Sequence, residues 1–308
     1  MTIFFALIGK LLPLYLFIVA GYALGVLLHL KRRPVAVLLL YILSPIVVLE
    51  GGWTAPVSRG TLALPLLFLV ICSVLCGCFY LVSAFVWKRG DTMRNLAAFA
   101  SADGNSGYFG IPAGLALFGP QSLGIIVLCS LGFLLYECSV GFFTLARGNF
   151  TIRESLRKAI ALPLLYAFGL GMAANIWHLQ EPAVLVAVFR DVRSAYSVMG
   201  MLLIGISLAG ERLSAVDGRL LAFTTVAKTI VWPGLMLFLI ALDRHVLHIF
   251  GNDVHGVILL MGMVPLAVNT VVYSSVLKVH PERAAVAVMV STLLALPFIP
   301  LLSAFFPA

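Results

Sequence analysis

Between Ser101 and Leu117 the chain reads S-A-D-G-N-S-G-Y-F-G-I-P-A-G-L-A-L. The stretch lies inside a segment apolar enough to cross a bilayer. It nevertheless holds a carboxylate (Asp103), an amide (Asn105), a hydroxyl (Ser106), the glycines Gly104, Gly107 and Gly110, and Pro112. Glycine weakens a helix, and proline removes a hydrogen bond and clashes with the preceding turn. In hydrocarbon each backbone group freed in this way is costly unless something satisfies it, so such a break is tolerated only where protein packs around it or where it lines a wet cavity. The stretch therefore predicts an interrupted membrane helix, broken around Gly104 and Pro112, that forms half of a transport site.

The remainder of the chain calls for the same solvent. Of 308 residues 62% are hydrophobic and 10% are charged, a balance foreign to soluble domains. A spanning helix needs about 20 largely apolar residues. Ten such segments are expected, at 4–28, 34–49, 61–87, 94–118, 121–145, 159–177, 194–209, 220–242, 254–279 and 284–306. Residues 182–190 read as a short surface helix. The net charge of +8 is no sign of nucleic-acid binding once its carriers are located. Lys31, Arg32, Arg33, Lys88, Arg89, Arg94, Arg147, Arg153, Arg157, Lys158, Arg212, Arg219, Lys278 and Arg283 fall in one set of alternate loops. Only Arg59, Arg190, Arg193 and Arg244 fall in the other. By the positive-inside rule the first set is cytoplasmic, which puts both termini on the extracytoplasmic side. The first segment lacks a basic n-region and a small-residue cleavage site, so it is expected to stay as a span. The five cysteines lie in apolar segments; Cys72, Cys76 and Cys78 have no histidine or carboxylate nearby to complete a metal site, and read as packing residues.

The basic loop divides the chain into an N-terminal unit, 1–147, a short cytoplasmic linker, 148–158, and a C-terminal unit, 159–308. The first span of each unit carries the same pattern: L-L-P-L-Y-L-F-I-V-A-G from Leu11, and A-L-P-L-L-Y-A-F-G-L-G from Ala161. Pro13 precedes Gly21 by the same interval as Pro163 precedes Gly171. Five spans per unit means that the second copy enters the membrane upside down. The expected fold is all-α, ten transmembrane helices arranged as two inverted five-helix repeats with a site at the midplane. The fourth span should then have a counterpart in the ninth. Met261 to Val271 reads M-G-M-V-P-L-A-V-N-T-V, with Pro265, Asn269 and Thr270 inside an apolar stretch.

Half-helices that meet at the midplane offer N–H groups to an anion and carbonyls to a cation. Asn105 and Asn269 can each donate and accept, so they could hold a substrate carboxylate or satisfy broken backbone. Ser106, Gly107, Pro265 and Thr270 complete the expected substrate-binding set. Asp103 could carry a proton or ligate Na⁺ as the coupling group, or it could cap the broken half-helix. Glu137 and Lys228 are the other charges expected deep in the membrane, and Lys228 could pair with either carboxylate or snorkel to an interface. Glu50 is expected to reach the surface. The histidines all lie at or near helix ends, which leaves no nucleophile–base pair or metal cluster at membrane depth, so an enzyme is not expected.

Three stretches together resemble the auxin efflux carrier family in its shorter bacterial form. They are G-N-S-G-Y-F-G-I-P in the fourth span, P-L-A-V-N-T-V-V in the ninth, and P-E-R-A-A-V-A-V-M-V-S-T-L-L-A-L-P in the tenth. The resemblance covers nearly the whole chain. It implies a ten-helix inverted repeat of the bile-acid/sodium symporter type, with a crossing of the broken fourth and ninth helices. It also implies elevator-like movement of a transport domain against a scaffold, and a homodimer through the scaffold helices. Asn105, Pro265 and Asn269 match the crossing. The chain departs from plant members, which have a proline just before the fourth-helix asparagine; here Gly104 follows Asp103, which favours ion coupling. The expected function is secondary transport of a small organic anion such as a carboxylate, with no cofactor beyond H⁺ or Na⁺ as coupling ion, in the bilayer of a bacterial inner membrane. The alternatives are a sodium-coupled symporter of bulkier sterol-like or sulfonated anions, and an uncoupled anion uniporter.

Overall fold

The structure, a computed structural model, describes residues 2–56, 58–88, 90–147, 163–209 and 216–305. The expected linker at 148–158 lies outside the described residues, as do Arg89 and Arg212. Every regular element among the described residues is a helix. Among the described residues four helices are long and apolar enough to cross a membrane: Gly60–Phe85, Pro120–Ala146, Gly218–Leu247 and Pro281–Leu302. They coincide with the third, fifth, eighth and tenth expected spans.

Helix α1 is Thr2–Leu27. Helix α2 starts as Arg32–Leu38, passes a π turn at Leu39–Leu43 and ends as Ser44–Thr54. Helix α3, Arg59–Val82, starts on a capping box in which Ser58 and Thr61 satisfy each other's backbone N–H. Helix α4 is Met93–Ala102, and α5 comprises a π turn, Ser106–Gly110, continued by Ile111–Phe118. Helix α6 runs from Leu123–Tyr136 through the π turn Glu137–Gly141 to Phe142–Ala146. Helices α7 and α8 are Pro163–Ile176 and Ala183–Ala209. Helix α9 joins Gly218–Val226, the π turn Ala227–Val231 and Trp232–Leu242, and Asp217 caps its start by accepting from Arg219 N and Leu220 N. Helices α10, α11 and α12 are Asn252–Met263, Asn269–Leu277 and Pro281–Phe305.

Two sequence expectations need correction. Pro112 does not break its helix. The π turns at Leu39–Leu43, Ser106–Gly110 and Ala227–Val231 each end two residues before a proline, at Pro45, Pro112 and Pro233. Widening the preceding turn makes room for the ring and absorbs the missing N–H, so the helix continues. The second correction concerns α8, which is one helix where a surface helix and a short span were expected. Its polar stretch does not end it: Arg190 and Asp191 project outward and pair with each other, while Arg193 turns inward.

Helix α1 lies along α8, and α2 lies along α7. The repeated glycines explain how closely. A β-carbon on Gly21 would run into the Leu202 carbonyl of α8, and one on Gly171 into the Leu49 carbonyl of α2. Lipid supplies no hydrophobic drive between helices, so such backbone-to-backbone packing is what joins them. Helix α3 packs on α4 and α6, and α9 packs on α10 and α12. The largest fully buried side chains, among them Trp232, Tyr136, Phe68, Phe99, Phe109 and Phe133, lie around the two interrupted helices. Phe133 of α6 stacks on Trp232 of α9 with ring centroids 5.6 Å apart.

Candidate functional site

Helix α4 stops at Ala102, residues 103–105 are non-helical, and α5 begins at Ser106. Asp103 takes an extended backbone (φ −103°, ψ 163°), and its Oδ1 accepts the Gly104 N–H at 2.7 Å. In the second interrupted stretch α10 ends at Met263 and α11 begins at Asn269, with Val264 again extended (φ −59°, ψ 141°). The two breaks touch. Asn105 N donates to the Pro265 carbonyl at 2.8 Å, and a β-carbon on Gly104 would lie 2.7 Å from Val264 Cγ2. Gly104 is needed at this point for its lack of a side chain.

Neighbouring helices satisfy the freed backbone. Ser291 Oγ of α12 accepts Leu266 N at 3.0 Å, and Trp232 Nε1 of α9 donates to the Ser101 carbonyl at 2.8 Å. Ser130 Oγ of α6 donates to the Ser106 carbonyl at 3.4 Å. The first two bonds satisfy groups freed by the breaks, which in hydrocarbon is a condition for the breaks to exist; the Ser106 carbonyl also accepts the Ile111 N–H within α5.

A cavity of about 100 Å³ lies against this junction. One side is made by the junction itself: Gly104, Asn105, Ser106 and Gly107 from the first break, Ala267, Val268 and Asn269 from the second, and Ser130 and Glu137 from α6. The other side is made by Ser44, Val47 and Val48 of α2 and Tyr196 of α8. The starts of α5 and α11 therefore both abut the cavity. Ser106 N, Thr270 N and Val271 N already donate to the Gly104, Ala267 and Val268 carbonyls, so what the two starts offer an anion is chiefly the positive end of each helix dipole.

The expected site residues divide in two. Asn105, Ser106, Gly107, Asn269, Glu137 and Gly104 all line the cavity. Asn269 Nδ2 donates to Glu137 Oε2 at 2.8 Å, which ties the carboxyl to the first residue of α11. Asn105 Nδ2 is buried without a partner. Pro265 does not line the cavity; it contributes the carbonyl that joins the two breaks. Thr270 also lies off it, fully buried with Oγ1 unpartnered, because the next residue round α11 faces away. Asp103 and Lys228 do not line the cavity; Lys228, on α9, borders a separate space of about 10 Å³. Both are buried, and neither Asp103 Oδ2 nor Lys228 Nζ has a hydrogen-bond partner.

Tyr196, Ser44, Ser130 and Tyr108 were not anticipated as lining residues. Ser130, a hydroxyl in an otherwise apolar span, carried a usable signal; Tyr196 carried none. Glu50 is a further correction, since it is buried and pairs through Oε1 with Arg193 Nη1. Val47 on α2 and Tyr196 on α8 line the cavity, and Glu50 and Arg193 lie three residues from them on the same helix faces.

No protein-family model matches this chain, and no curated protein matches it either.

Proposed function

We propose that this chain is a secondary transporter of a small organic anion, of the auxin efflux carrier type, working as an elevator. The observation that carries the reading is the hydrogen bond from Asn105 N to the Pro265 carbonyl beside a cavity faced by two helix starts. In this reading the anion binds between those starts, drawn by their dipoles and held by the Asn105 and Asn269 side chains. The cavity volume of about 100 Å³ compares with about 10–15 Å³ on that measure for one water, which favours a small carboxylate over a sterol-like anion.

The packing supports an inverted ten-span repeat. Helix α1 lies on α8 as α7 lies on α2, and α3 lies on α4 as α9 lies on α10. The sequence-matched glycines Gly21 and Gly171 make equivalent close approaches. The long apolar helices occupy the third and fifth positions of one unit and the eighth and tenth of the whole, which are the same places in each unit. Helices α1, α2, α7 and α8 then form the scaffold and the dimer surface, and the remainder forms the moving domain. The charge bias of the loops puts both termini outside a bacterial inner membrane.

Glu137 supplies the coupling. An ionised carboxylate on the cavity wall repels an anionic substrate. Two like unit charges about 5 Å apart oppose each other by roughly 3 kcal/mol at an effective dielectric near 20. Protonating Glu137 removes that opposition, and the Asn269 bond carries the change to the start of α11.

The test is uptake of radiolabelled small mono- and dicarboxylates into proteoliposomes of the purified protein under an imposed proton gradient. Saturable accumulation is expected, and Asn105→Ala and Asn269→Ala should each raise the half-saturating concentration. Wild-type affinity in both variants would remove the junction from the site.

A further inference from the structure

Where α3 and α6 end, two arginines share one tyrosine. The Arg94 guanidinium lies 4.7 Å from the centroid of the Tyr80 ring, and that of Arg147 lies 5.2 Å from it. Arg94 is buried; its Nη2 donates to the Tyr80 carbonyl at 3.2 Å and its Nε to Ser83 Oγ at 3.5 Å. Arg147 is exposed, follows directly on α6 and donates through Nη1 to Tyr80 Oη. Among the described residues neither arginine forms an ion pair with a carboxylate. Asp91, in the connection between α3 and α4, is committed elsewhere: its Oδ1 accepts Met93 N at 2.9 Å, at the start of α4.

The charges at this place do not balance. The end of a helix carries about half a negative charge, so α3 and α6 together offset about one of the two arginine charges. The Tyr80 ring attracts cations through its quadrupole but brings no net charge. Asp91 is matched by the exposed Lys88 of the same connection. About one positive charge therefore remains, which is what a single phosphodiester would neutralise.

The geometry around Arg147 suits such a group. Arg147 has spent one of its several N–H donors on Tyr80 Oη, and that hydroxyl, having accepted, keeps its own proton to donate. The surface beside them is apolar. Phe143, one turn before Arg147, is 50% exposed, and Leu81 and Phe85, which follow Tyr80, are 69% and 92% exposed. Acyl chains cover a surface of that kind, and basic pockets between membrane helices hold anionic headgroups. We infer that Arg147 and Tyr80 form a site for the phosphate of an anionic phospholipid, with Arg94 as a positioning residue that fixes Tyr80. The inference needs only that α3 and α6 span a bilayer, and stands apart from the carrier reading.

Thermal unfolding of the purified full-length protein in detergent tests it. Dioleoyl phosphatidylglycerol, dioleoyl phosphatidylcholine, whose choline cancels the phosphate charge, or inorganic phosphate is added at constant ionic strength. Phosphatidylglycerol should raise the wild-type Tm by roughly 3 °C or more, as expected of a ligand that binds the folded state alone, and the other two should not. Arg147→Gln, and Tyr80→Phe, which removes only the hydroxyl, should each lose at least half of that rise. Arg219→Gln, at an exposed arginine near the start of α9, should keep it. If Arg147→Gln does not fold, Tyr80→Phe decides. An equal rise with phosphatidylcholine overturns the inference, as does a full phosphatidylglycerol rise in either variant. An equal rise with inorganic phosphate overturns the lipid as the ligand, because a free anion then suffices.

Discussion

Gly104→Ala adds a single methyl group where the two interrupted helices meet. The new carbon would lie 2.7 Å from Val264 Cγ2, 3.1 Å from Phe133 Cε1 and 3.2 Å from Lys228 Nζ. An ordinary carbon–carbon contact is about 3.5–4.0 Å. The overlap with Val264 is therefore close to 1 Å, and a valine held at χ1 in a fully buried site has no free rotamer to retreat to. Either the breaks part, stretching the bond from Asn105 N to Pro265 O, or α6 gives way at Phe133. Overpacking of this kind costs about 1–3 kcal/mol. At roughly 2–4 °C per kcal/mol in domains of 150–250 residues, Tm should fall by about 2–12 °C. Two other glycines calibrate the effect. A β-carbon on Gly110 meets Met261 Cε at 3.2 Å, the movable end of a flexible side chain, and one on Gly77 meets nothing within 4 Å. Gly110→Ala should cost less than Gly104→Ala, and Gly77→Ala should be neutral or stabilising through helix propensity. Thermal unfolding in one detergent, with the three variants side by side, makes the comparison. A Gly104→Ala protein as stable as Gly77→Ala would refute the contact between the breaks, and the site with it.

Arg193→Met leaves the buried Glu50 carboxylate uncompensated, at a cost of about 2–3 kcal/mol, below the roughly 3–5 kcal/mol of a fully buried pair because Arg193 is 19% exposed. Glu50→Gln with Arg193→Met should recover most of that loss, and a double variant no more stable than Arg193→Met would show that the pair is not a unit. Trp232→Phe keeps a ring to stack on Phe133 but loses the 2.8 Å bond to the Ser101 carbonyl at the end of α4. It should lower stability by about 1–2 kcal/mol in denaturant or thermal titration, and an unchanged midpoint would mean that this carbonyl is satisfied elsewhere.

The positions of both interruptions were legible because their causes are local. Gly104 beside Asp103 and Asn105, and Pro265 ahead of Asn269, are residues that a lipid-facing helix would exclude, whatever surrounds them. The paired pattern Pro13–Gly21 and Pro163–Gly171 likewise pointed to glycines that the packing uses. Pro112 was misread because the effect of a proline depends on whether the turn before it can widen, and that is settled by neighbouring helices. The polar run in α8 was misread because Arg190, Asp191 and Arg193 look like a helix end until a partner for Arg193 is known, and Glu50 lies 143 residues away.

Solvent, element type and the two weak points in the helices were thus determined by the sequence alone, since each follows from what a short stretch of chain tolerates in hydrocarbon. Which groups share the cavity was decided only by tertiary structure. Glu137 lines the cavity and Asp103 does not, although the sequence points to Asp103 first as the coupling carboxylate and to Glu137 only as one of the other deep charges. The difference comes from which side of the touching breaks each helix approaches, a matter of packing between segments far apart in the chain, on which local composition has no hold.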